Sequence, residues 1–111
     1  MPQRLLADDV TRLPLAHEAL PAEEVVDGDP TAAVQTLGAV GGVEVGVWEM
    51  SAGTARDTEV DEVFVVLSGS GTVEFEDGER IRLAPGTAVR LHAGERTVWS
   101  IEEPLRKVWV A

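Results

Sequence analysis

The 111 residues hold 20 Asp and Glu against 9 Lys and Arg, a formal charge of -11. That balance repels phosphate backbones and anionic lipid, so neither nucleic acid nor a membrane surface is expected as a partner. There is no cysteine, which removes disulfides, thiolate metal sites and a cysteine nucleophile. The length suits one domain with a real core.

In chain order, MPQRLLADDV has only Leu5 and Leu6 together before acids intervene. It lacks the apolar core of a signal peptide, and a cytoplasmic address is expected. No apolar stretch approaches the roughly 20 residues of a membrane span. Residues 1–33 are punctuated by Pro2, Pro14, Pro21 and Pro30 and carry no sustained helical or strand period. They read as an N-terminal arm wrapped on a core, with Leu5, Leu6, Leu13, Leu15 and Leu20 packing on that core or on a second subunit.

From residue 34 to 111 strand signals follow one another: VQTLGAV, VEVGVWEM, EVFVVLS, GTVEFE, RIRLA, AVRLH, RTVWSI and RKVWVA. This predicts about eight short strands. SGSG, EDGE, APG, HAGE and EEP lie between them as tight turns, because Gly supplies positive φ and Pro presets its own. Val73 and Phe75 alternate with Glu74 and Glu76, and Ile81 and Leu83 with Arg80 and Arg82, so one face is buried and the other wet. EVFVVLS is apolar at both parities and is expected to lie centrally between two packed layers. The pattern alone predicts an all-β sandwich or barrel.

The order GVWEMSAG, EVFVVLSG, DGERIRLAPGTAVRLHAG and TVWSIEEPLRKVWV is more specific. It resembles a small single-domain cupin, and is most similar to the compact family that includes ethanolamine-utilisation and ureidoglycine-aminohydrolase-like proteins. The resemblance implies a double-stranded β-helix, or jelly-roll barrel, over residues 34–111, with the site in the barrel mouth. It also implies a homodimer in which the arm exchanges with a partner.

Metal-binding cupins share a first motif, G-x5-H-x-H-x3or4-E-x6-G, and a second, G-x5-P-x-G-x2-H-x3-N. Anchored on Glu62 and Gly69, the two first-motif histidine positions fall on Arg56 and Thr58, or on Ala55 and Asp57 in the longer spacing. The second-motif histidine position falls on Thr97, so only Glu62 remains of four ligands. One carboxylate does not hold a divalent metal, and no metal or other cofactor is expected. Asp57, Glu59 and Asp61 share parity opposite to Glu62, and an outward, solvated edge is the preferred reading of those three acids.

Glu62, in step with Phe64 and Val66, is the leading site residue. At the rim of an apolar interior it is either a proton-handling carboxylate or the partner of an Arg56 salt bridge. Arg56 in a ligand position favours a carboxylate-bearing molecule. Thr97 and Trp99 share a face, with Trp48 beside them, and aromatic walls with a few polar groups suit small-ligand pockets, although an indole is more often core. His17 and His92 each stand alone and read as structural or solvated.

The expected function is metal-independent binding of a small polar or carboxylate-bearing molecule among Glu62, Arg56, Thr58, Trp48, Phe64, Thr97 and Trp99. One alternative is an enzyme using Glu62 as general acid or base, of isomerase, lyase or amide-hydrolase type. The other is a filled barrel acting as an interaction module.

Overall fold

A computed structural model describes residues 2–111. Nine strands form in chain order: β1 (Glu18–Ala19), β2 (Val25–Asp27), β3 (Thr31–Val40), β4 (Val43–Met50), β5 (Gly53–Thr58), β6 (Glu62–Phe75), β7 (Arg80–Leu83), β8 (Ala88–Leu91) and β9 (Arg96–Val110). A single 3-10 turn, Ala22–Glu24, precedes β2. All pairings are antiparallel. No helix among the described residues is long and apolar enough to cross a membrane.

Two long strands, β6 and β9, build the barrel by belonging to both of its layers. In one layer β1, β3 and β4 lead to the C-terminal part of β9, which pairs with the start of β6, itself paired with β8. In the other, β2 and β5 lead to the N-terminal part of β9, which pairs with the end of β6, itself paired with β7. The chain turns the corner within SGSG on β6 and EEP on β9, where the register slips three times between Val66 and Gly71. The sequence reading of these two segments as turns between separate strands is therefore corrected. They are bulges, which bend a strand and carry it from one layer into the next.

Gly69 makes that corner possible. Its φ is +89°, and a Cβ there would lie 2.0 Å from the Pro104 carbonyl oxygen on β9. Neither the conformation nor the approach admits a side chain.

Between the layers lies one core containing Met50, Ala55, Phe64, Val66, Val73, Phe75, Leu83, Leu91, Trp99, Ile101 and Leu105, all buried. Val73 and Phe75 point in while Glu74 is exposed, as alternation requires. The expectation that EVFVVLS is buried on both faces does not hold. Phe64 and Val66 are interior, but Val63 and Val65 remain 45% and 36% exposed on the outer surface. β6 is central by pairing, and the layer it belongs to has no second layer outside it at this point.

Residues before 34 contribute more than an arm. β1 pairs with β3, β2 pairs with β5, and β3 itself begins at Thr31, so strand pairing crosses the expected boundary at residue 34. Strands of two and three residues are too short to show a period. The arm docks on the outer face of β4 and β9. His17 bridges Thr31 Oγ1 at 2.8 Å and Glu49 Oε1 at 2.7 Å, and Arg106 bonds Glu49 Oε2 at 2.8 Å and the Val10 carbonyl at 2.9 Å. Burial alone would raise the Glu49 carboxyl, but the Arg106 and His17 hydrogen bonds outweigh it and hold it below its ordinary value. Leu5 and Leu6 stay exposed.

Candidate functional site

At one end of the barrel the interior opens into a cavity of about 550 Å3. Its floor is set by β9. Alternation along that strand sends Thr97, Trp99, Lys107 and Trp109 inward, with Lys107 opposite both Trp48 on β4 and Val66 on β6. Gly46 leaves room for the last indole, since a Cβ there would lie 2.2 Å from Trp109 Cζ2.

Lys107 is 5% exposed. Its ammonium donates to Glu62 Oε2 at 2.6 Å and stands 4.3 Å from the Phe64 ring centroid, 4.8 Å from Trp48 and 4.9 Å from Trp99. A buried charge requires compensation of this kind. Here a carboxylate supplies the counter-charge, and three aromatic faces supply cation–π attraction.

A second buried carboxylate lies nearby. Glu59 is 7% exposed, and its Oε2 accepts a 2.6 Å bond from Thr97 Oγ1 and a 3.0 Å bond from Trp99 Nε1. Its backbone is pinned on both sides to the β8–β9 turn, with Glu59 N–H donating to the Glu95 carbonyl at 2.8 Å and Gly94 N–H to the Glu59 carbonyl at 2.9 Å. The same turn holds Asp61, whose Oδ1 accepts from Ala93 N–H at 3.2 Å and from Arg90 at 3.1 Å.

These contacts overturn the outward reading of the acids. β5 ends at Thr58 and β6 begins at Glu62, so no strand period runs through residues 59–61. Glu59 turns inward and Asp61 outward. Asp57, at the parity of the buried Ala55, is exposed at the mouth. Desolvation there and the neighbouring charge of Glu59 push its carboxyl up to about 6.

The pairing of β5 with β9 also decides the register of the site. Ala55 faces Trp99 and is buried, and Asp57 faces Thr97 at the same parity but is itself exposed, as are Arg56 and Thr58, which pair with Val98 and Arg96. Of the residues singled out in the sequence, Glu62, Trp48 and Trp99 line the cavity, Arg56 and Thr58 stand exposed at its rim, and Phe64 and Thr97 are buried behind the lining, beside Lys107 and Glu59. The expected Arg56–Glu62 bridge is replaced by Lys107–Glu62.

A model of the EutQ-like cupin domain matches residues 37–109. The chain belongs to that family. No curated protein matches it. Among solved structures, this cupin is similar to the EutQ protein of Clostridium difficile, with 19% identity and a TM-score of 0.63 over 73% of this chain and 61% of that one. It is likewise similar to a protein of unknown function from Rhizobium leguminosarum, with 30% identity and a TM-score of 0.63 over 71% and 78% of the two chains. A DUF861-family protein of unknown function from Pseudomonas syringae pv. tomato shares 17% identity and a TM-score of 0.71 over 92% of this chain and 45% of that one. The cupin thus spans less than two thirds of the C. difficile and P. syringae chains. The fold is the cupin jelly roll.

The donors of this cupin do not fit the divalent metal of metal-binding cupins. Because the inward positions of β5 are Ala55 and Asp57, the two first-motif histidine positions fall on them, and Ala55 has no donor. Thr97, at the second-motif position, is bonded to Glu59, and Glu62 holds an ammonium. Among the described residues no group of three or more His, Cys, Asp and Glu converges as a metal site.

Glu59 and Lys107 are the residues that sequence reading missed. Lys107 left a signal, since it shares parity with Trp109 on a strand whose inward face is aromatic. Glu59 left none, because its orientation comes from hydrogen bonds to a turn more than 30 residues away.

Proposed function

We propose that this cupin binds a small polar organic molecule in its barrel mouth without a divalent metal. The observation that carries this reading is the cavity itself. Indoles wall it, and its polar groups are held by the Lys107–Glu62 ion pair and by the hydrogen bonds that Thr97 and Trp99 donate to Glu59. Aromatic walls with a few fixed polar groups are what small-molecule sites use. A cavity of about 550 Å3 also speaks against a barrel filled with side chains.

Thermal-shift titration against small polar molecules tests the reading, because a ligand of the folded state raises the melting temperature by linkage. The expected result is a stabilising molecule whose effect is unchanged by a chelator. Binding that appears only with added divalent metal overturns it.

A second reading, acid–base catalysis on the bound molecule, is favoured by Asp57, whose carboxyl near 6 can exchange a proton close to neutral pH. Glu62, the residue expected for that role, is tied to Lys107.

We also propose that the protein is a homodimer. Val63, Val65 and Val110 are exposed side by side on the outer face of β6 and β9, an apolar row that a second copy would cover. Light scattering on the full chain checks this, and a monomer at high concentration refutes it.

A further inference from the structure

The proposed small-molecule reading leaves the charge of the ligand open, and Glu59 supplies a way to fix it. This carboxylate is more than nine-tenths buried, yet none of the ion pairs among the described residues includes it. Its two donors, Thr97 and Trp99, are neutral, and both reach Oε2. Oε1 accepts no hydrogen bond among the described residues. No sealed polar side-chain atom there lacks a partner, so Oε1 is not sealed, and Glu59 is among the residues that line the cavity. An ionised carboxylate in such surroundings requires a cation or a further donor.

The rest of the cavity has the same sign. Five of its lining residues are acids and two are basic. One of the two, Lys107, is neutralised by Glu62 at 2.6 Å, and the other, Arg56, is exposed at the rim. Asp57 faces Thr97 across the β5–β9 pair, on the inward side that Glu59 shares through its bond to Thr97. The walls are indoles, and the protein already stabilises one ammonium against them, with Lys107 over Trp48, Phe64 and Trp99. A hydrated divalent ion gains little from such walls, whereas an organic ammonium gains both charge pairing and cation–π contact.

Resting on the small-molecule reading, we infer that the ligand of this cavity is a small organic ammonium compound, its N–H groups donating to Glu59 Oε1 and its carbon portion lying on the Trp walls. Asp57 closes the mouth as a second acceptor.

The test is calorimetric and thermal-shift titration of the full chain with propylammonium, propionamide and propionate, three probes of similar size and different charge. Propylammonium is expected to bind most tightly. Glu59→Gln is expected to weaken it by roughly tenfold or more, the scale of a hydrogen bond to a charged group, while leaving propionamide unchanged. Should Glu59→Gln not fold, Asp57→Asn at the exposed mouth is the second variant, expected to weaken propylammonium alone. Preference for propionamide or propionate, or propylammonium binding unaffected by the variant that folds, overturns the ammonium inference and leaves the small-molecule reading standing. Stabilisation by none of the three overturns both.

Discussion

Lys107 Nζ lies 2.6 Å from Glu62 Oε2, with side-chain exposures of 6% and 12%. The pair lies on β9 and β6, with the ammonium 4.3 to 4.9 Å from three aromatic ring centroids. Removing one partner leaves a charge in an apolar setting, which costs about 3–5 kcal/mol, whereas removing both charges costs much less. Lys107→Met is therefore expected to lower stability in urea by that amount, and adding Glu62→Gln to recover most of it. Equal loss in the single and double variants contradicts the pairing.

The Glu59 carboxylate depends on two neutral donors, of which Thr97 Oγ1 is the shorter at 2.6 Å. Thr97→Val keeps the shape and removes the donor. The expected loss is roughly 1.5–3 kcal/mol, as for a hydrogen bond to a charged group, and Thr97→Ser should restore most of it. Unchanged denaturation of the valine variant would show that the bond contributes nothing.

Asp57 shapes the pH dependence. Its carboxyl rises from an ordinary 3.8 to about 6 in the fold, so the folded state holds the proton longer than the unfolded one. The stabilising contribution is complete below the unfolded value and is lost as pH climbs through about 6. Asp57→Asn is expected to raise the melting temperature at pH 7 relative to the parent and to flatten the profile between about pH 4 and 6. Glu49 acts with opposite sign, because its carboxyl is held down and its contribution is lost as pH falls. A profile unchanged by Asp57→Asn rules out the shift.

Two glycines with left-handed backbones make a controlled comparison. Gly78 has φ +93° and nothing within 4 Å of a Cβ, while Gly69 has φ +89° and the Pro104 oxygen 2.0 Å away. Gly78→Ala should cost about 1–2 kcal/mol from conformation alone. Gly69→Ala should cost clearly more, because β6 and β9 must part at the corner. Similar melting temperatures for the two variants would mean that the corner yields freely.

Much of the fold was legible in the order of residues. Alternation at Val73 to Glu76 and at Arg80 to Leu83 reports a sheet with one wet face, and the glycines of EDGE, APG and HAGE lie in turns, of which EDGE alone closes a hairpin, while APG and HAGE carry the chain between strands that do not pair with each other. The family resemblance then selected the jelly roll among β architectures. What misled was reading SGSG and EEP as ends of strands, since a bulge and a turn use the same residues. Which one forms depends on whether another strand continues alongside.

For the site, the sequence by itself determined the cast on the long strands. Glu62, Trp48 and Trp99 line the cavity, with Phe64 and Thr97 buried behind them, because parity along a continuous strand is a local property that pairing preserves. It also determined that three of the four metal-ligand positions hold no histidine, in either spacing. Only the tertiary structure decided the facing of β5, the inward turn of Glu59 and the choice of Lys107 over Arg56 as partner of Glu62. Those outcomes rest on the break in period at residues 59–61 and on the pairing of β5 with β9. They rest too on backbone bonds from Glu59 to Gly94 and Glu95. The pairing and the backbone bonds are contacts between segments far apart in the chain, and no local pattern encodes them.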